Sequence, residues 1–240
     1  MTLDAGKTRG RLRALEGLAV GIIAAFACAL SVAPAAAQVT LGTAATGTAS
    51  CPTDCLVEAR VTGFQTMVGG AKAPLVVPAP GRIVSWSINL GSPESSATKF
   101  FNKRFGLPAA RLSILKPIPS RGGRKHAFRL LRKTPVQALR SHFGSLATFK
   151  LERPLKVAKG QRLALTIPSW APAFSVGHGE ETRWRASRAP TRSRGDCFTD
   201  EGLANLKAGS PHRKPGSVRA YGCSYRGAML LYSATLVEKP

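Results

Sequence analysis

Beyond residue 55 the sequence is a succession of short apolar–polar alternations broken by glycine and proline, and this pattern restricts the fold more than any other feature. Gly81–Leu90 (GRIVSWSINL) places Val84, Trp86, Ile88 and Leu90 on one face and Ser85, Ser87 and Asn89 on the other. A period of two belongs to a strand with one buried face. Leu56–Phe64 sorts in the same way, Val57, Ala59, Val61 and Gly63 lying opposite Glu58, Arg60 and Thr62. Gln161–Pro168 sets Leu163, Leu165 and Ile167 against Arg162, Ala164 and Thr166. Shorter runs at Leu112–Leu115, Phe128–Leu131, Thr148–Leu151 and Thr182–Ala186, and a long apolar one at Ala228–Leu236, complete the series. Short strands separated by turn signals, with no βα alternation, predict an all-β antiparallel sandwich or barrel. Two short helices are expected as insertions. Ser92-Pro93-Glu94 reads as a cap followed by proline, with Ala97, Phe101 and Phe105 repeating at i, i+4 up to Gly106. Thr134-Pro135-Val136-Gln137 reads as a capping box, with Val136, Leu139 and Phe143 sharing a face.

The N-terminus has a different character. Lys7, Arg9, Arg11 and Arg13 precede an apolar stretch, Leu18–Val32, which ends at Pro34-Ala35-Ala36-Ala37. A positive segment, a short apolar segment and small residues before a cut are the parts of a secretory signal peptide, so residues 1–37 are expected to be removed after Ala37. The run is shorter than the roughly 20 residues a spanning helix needs, so no transmembrane segment is expected after cleavage. Residues 38–50 are small and polar and are expected as a flexible lead-in to a single domain at 51–240. Cleavage takes away four basic and two acidic residues (Asp4, Glu16), so the formal charge of the whole chain, +23, falls only to +21. Charge of that sign and size favours polyanions.

Four cysteines remain: Cys51, Cys55, Cys197 and Cys223. An even count in an exported chain points to two disulfides. Cys51 and Cys55 are near enough to close a small ring, and Cys197 with Cys223 would tie down a Gly/Pro-rich segment, so 51–55 and 197–223 are the expected pairs. Neither pair has the CxxC spacing of a zinc knuckle, and neither a metal nor a cofactor is expected.

Three strings occur in a particular order: Val77-Pro78-Ala79-Pro80-Gly81, then Arg111-Leu112-Ser113-Ile114-Leu115-Lys116-Pro117, then Val157-Ala158-Lys159-Gly160-Gln161-Arg162-Leu163-Ala164-Leu165. Over residues 56–170 this order resembles a group of uncharacterised secreted actinobacterial proteins with a jelly-roll-like β-sandwich. The resemblance implies a jelly-roll fold and export. Its motifs are turns and core strands, and it implies no activity.

Catalytic patterns are sparse. Ser96-Ala97-Thr98-Lys99 matches an S-x-x-K string without its companion motifs, and His178-Gly179-Glu180 has no third metal ligand in sequence. A glycoside hydrolase needs two facing carboxylates, and Glu152, Glu180, Glu181, Asp196 and Asp200 are the pool from which they would come. Basic clusters are richer: Arg121–Lys133, Arg183–Arg194 and His212–Arg219. Arginine forks suit phosphate and carboxylate, and a tryptophan among them offers a stacking face. Arg183, Trp184, Arg185, Arg188, Arg192 and Arg194, supported by Arg124 and Lys125, are therefore the candidate binding residues. The expected protein is a monomeric, secreted or envelope-associated module that binds anionic envelope polymers or glycans without catalysis; nucleic acid is not the expected partner. The alternative is a secreted hydrolase of cell-wall or polysaccharide material.

Overall fold

The computed structural model describes residues 37–119, 126–188, 197 and 209–239. Its strands are, in chain order, β1 (Gln38–Gly42), β2 (Glu58–Val68), β3 (Ala71–Lys72), β4 (Gly81–Asn89) and β5 (Ala109–Pro117). Next come β6 (Ala127–Lys133), β7 (Gln137–Ala138), β8 (Leu146–Val157), β9 (Arg162–Ala171), β10 (Phe174–Val176) and β11 (Arg183–Ala186). The last four are β12 (Val218–Ala220), β13 (Cys223–Arg226), β14 (Ala228–Leu230) and β15 (Tyr232–Glu238). One helix, α1 (Ser95–Phe105), lies between β4 and β5.

Every pairing in register is antiparallel. One sheet has the order β1-β15-β4-β8, and the other β12-β6-β5-β9-β2-β11-β13; β10 and β14 form a short ribbon. The fold is an all-β sandwich. Its core holds Ile83, Trp86, Ile88 and Tyr232 from the first sheet and Leu112, Ile114, Leu163, Leu165 and Ile167 from the second. Taken alone, β1, β2, β4, β5, β6, β8, β9 and β15 form sheets ordered first-eighth-third-sixth and fifth-fourth-seventh-second, so most connections cross from one sheet to the other.

The expected strands are present except that Ala228–Leu236 is not one strand: it breaks at Leu231 into β14, paired with β10, and β15, paired with β1 and β4. Other local expectations change too. Residues 38–42 are not a flexible lead-in: they form edge strand β1, register-paired along β15, with Leu41 buried. The Thr134 region is not a helix. The Thr134 hydroxyl accepts from Leu112 N and can also donate to Leu112 O, keeping the chain against β5; Gln137–Ala138 pair with β5, and only a single 3-10 turn, Arg140–His142, follows. In β4, Ile83 rather than Val84 is buried, because the register slips between Ile83 and Ser85. An extra residue in one strand turns all side chains before it to the other face. The same device acts in β2, where the register slips at Arg60, whose φ is 49°. Ahead of that bulge Glu58 is buried instead of facing solvent.

Helix α1 starts at Ser95 with Glu94 at its cap position, so the Ser92 cap read from the sequence is displaced. Phe101 packs on Trp170 with ring centroids 5.1 Å apart. The Trp170 indole N–H donates to Asn102 Oδ1 and Gly106 O, at 3.0 and 2.9 Å. Trp170 is thus a buried plug holding the helix to the sheet. Two disulfides join Cys51 to Cys55 and Cys197 to Cys223. Among the described residues no helix is long and apolar enough to cross a membrane.

Candidate functional site

Strand β11 divides the expected binding cluster. Its period of two sends Trp184 and Ala186 inward and Arg183 and Arg185 outward. Trp184 is 2% exposed, stacks on Tyr225 at 4.5 Å between centroids and lies against Gly63, where any side chain would collide with its ring. The indole therefore offers no face to a ligand.

Arg188, just beyond the strand, is also buried. Its guanidinium donates to Glu58 Oε2 at 2.9 Å, Ala59 O at 3.1 Å and Tyr225 Oη at 3.1 Å. Burial works against the Arg188 charge, but Glu58 and Tyr225 more than offset it and hold its pKa above the usual value. This is a structural ion pair. Arg124, Lys125, Arg192 and Arg194 lie outside the described residues.

Arg183 and Arg185 meet a partner that the sequence reading placed on the right face without assigning it a role. Arg162, at the start of β9, projects from the same outer side of the sheet, and the three arginines line a cavity of about 320 Å³ with Phe64, Thr66, His126, Phe128 and Ser224. The Arg162 guanidinium lies 4.6 Å from the Phe64 ring centroid and 5.7 Å from that of Phe128. Such contacts fix the plane of the fork without neutralising it. The Arg162 Nε–H is buried with no hydrogen-bond partner among the described residues. Arg185 is tethered through one Nη to Tyr221 O at 2.9 Å, and Arg183 through Nε to Glu180 O at 2.7 Å. Carbonyl partners orient these two side chains and leave their charge in place.

No carboxylate is among the described residues lining the cavity. Desolvation lowers the pKa of Arg162 and of Arg185; at Arg162 Tyr232 opposes this and the charge of Arg185 adds to it. Two wider clefts, of about 480 and 590 Å³, each include an acid among their bases, Glu238 and Glu152 respectively. The arrangement around Arg162 can hold an anion. The pair of facing carboxylates that hydrolysis of a glycoside requires is not among the described residues that line the cavity.

The remaining catalytic candidates are engaged elsewhere or exposed. Glu180 pairs with Arg226 at 2.7 Å on the surface, and His178 meets Ser175 Oγ at 3.0 Å. Asp196 and Asp200 lie outside the described residues. Comparison with known protein families, curated proteins and solved structures finds no match to this chain.

Proposed function

We propose that the chain is exported with cleavage after Ala37 and acts at the cell envelope as a non-catalytic module that binds an anionic polymer or glycan. The observation that carries this reading is the cavity built from Arg162, Arg183 and Arg185 with no acid among its described lining residues. Two further facts support it. Only two ion pairs, Arg188–Glu58 and Arg226–Glu180, occur among the described residues of a chain with 35 Lys and Arg against 12 Asp and Glu. Two disulfides suit an oxidising compartment. The strand orders, with consecutive long strands mostly in opposite sheets, support reading the sandwich as a jelly roll.

A salt titration tests this reading. The purified, disulfide-intact protein is offered isolated envelope, neutral polysaccharide and DNA. Envelope binding that falls steeply between about 50 and 200 mM salt is expected. Failure to bind envelope at low salt, or capture by neutral polysaccharide alone with no salt dependence, contradicts it.

A further inference from the structure

The cavity has features that a generally basic surface lacks. Its volume, about 320 Å³, is at the small end for a ligand pocket. The Arg162 fork is held against Phe64, which is fully buried, and Phe128, which is 6% exposed. Arg183 and Arg185 reach the cavity from a different strand, β11, each with one nitrogen fixed on a carbonyl. Thr66 and Ser224 add hydroxyls to the lining.

The geometry of the ligand follows from that of the donors. A planar carboxylate is satisfied by one guanidinium fork, edge to edge. Forks arriving from two strands around one small space match an anion whose oxygens point in several directions. A doubly charged anion also balances three cations better than a singly charged one does. We infer that the Arg162–Arg183–Arg185 cavity is a socket for a single tetrahedral phosphate group, either free phosphate or a phosphate monoester carried on a larger molecule. This deepens the proposed polyanion reading by assigning it one point of recognition. Diffuse attraction to the basic surface and phosphate capture in the socket are separable. The first follows the number of counterions released and so depends steeply on salt, whereas a single bound group depends on it weakly.

The test is calorimetric titration of the full protein with inorganic phosphate, glycerol phosphate, sulfate and acetate at one fixed ionic strength. Inorganic phosphate or glycerol phosphate is expected to bind saturably at one site per chain, with acetate on the order of tenfold weaker or undetected. If glycerol phosphate binds at least as tightly as inorganic phosphate, the socket serves a phosphate ester; if inorganic phosphate is the tighter, it serves the free ion. Arg162→Met is expected to weaken phosphate binding on the order of tenfold or more. Arg162→Lys, which keeps the charge and loses the fork, should recover only part of that loss. Arg82→Gln, a removal of charge on the opposite sheet, should leave it unchanged. Thermal melts of the same variants show whether each is folded, so lost binding is read only from folded protein. The inference is overturned if phosphate binding is absent or unsaturable, if acetate binds equally well, or if folded Arg162→Met binds phosphate as the parent does. Any of those results alongside salt-dependent envelope binding would leave the wider functional reading standing.

Discussion

Arg188 and Arg162 lie in the same β-framework and meet its interior in opposite ways. Arg188 is 5% exposed and satisfied by a carboxylate, a carbonyl and a phenol. Arg162 is half-buried over two aromatic rings and has no carboxylate partner among the described residues. Both incur the cost of desolvating a cation, and of the two only Arg188 meets a carboxylate among the described residues that offsets it. The contrast separates an arginine that completes the structure from one whose counter-charge must come from outside.

Replacing Arg188 should have the largest effect. Arg188→Met leaves Glu58 buried beside a neutral chain and is expected to cost about 3–5 kcal/mol in equilibrium urea unfolding. Adding Glu58→Leu to that variant should return most of the loss, because the stranded charge is then gone. If the double variant is as unstable as the single one, the ion pair is not what organises this region.

The Cys197–Cys223 bridge supports the same corner, since Gly222 N and Cys223 N both donate to the Arg188 carbonyl. Opening it with Cys223→Ser should cost about 3 kcal/mol from the entropy of a loop of this length, measured in the same unfolding experiment.

His212 gives a smaller, pH-dependent comparison on the outer face of the large sheet. It is 1% exposed, with Nδ1 on Tyr221 Oη at 3.1 Å and Nε2 on Ser217 Oγ at 3.0 Å. Burial pushes its pKa down, the Ser217 carbonyl opposes this, and Arg219 adds to the lowering. The unfolded chain therefore takes up a proton that the folded chain refuses. Stability is full above the ordinary histidine pKa, about 6.5, and falls as pH drops below it, by at most about 1.4 kcal/mol per pH unit. His212→Gln should flatten that slope in melts recorded from neutral pH downward.

Arg162→Met should have the smallest effect on stability and the opposite sign. Removing a cation that the fold does not neutralise, while keeping an apolar chain on Phe64 and Phe128, should leave stability unchanged or raise it by up to about 1 kcal/mol. A loss comparable to that of Arg188→Met would erase the distinction between the two arginines.

Much of this arrangement could be read from the sequence, and the failures share a cause. In Gln161–Pro168 the alternation correctly set Arg162 opposite Leu163, Leu165 and Ile167. In Arg183–Ala186 the same period implies that Trp184 and its flanking arginines cannot share a face, a signal present in the sequence that the cluster reading overrode. Glu58 and Val84 could not be placed because bulges at Arg60 and Val84 leave no mark in a strictly alternating count. The cavity joins β9 to β11 with Phe64 and Phe128 from β2 and β6 beneath, and such pairings across many residues are invisible to local periodicity. The disulfide pairs, fixed by short spacing and by one long loop, were accessible.

The most direct measurement is an NMR titration of the arginine Nε–Hε signals with inorganic phosphate at constant ionic strength. Resonances of Arg162 and Arg185 are expected to shift and saturate together, while that of Arg188, already neutralised by Glu58, stays in place. Immobile Arg162 and Arg185 signals, or an Arg188 signal that moves as far as theirs, would contradict the division between a structural arginine and a binding one.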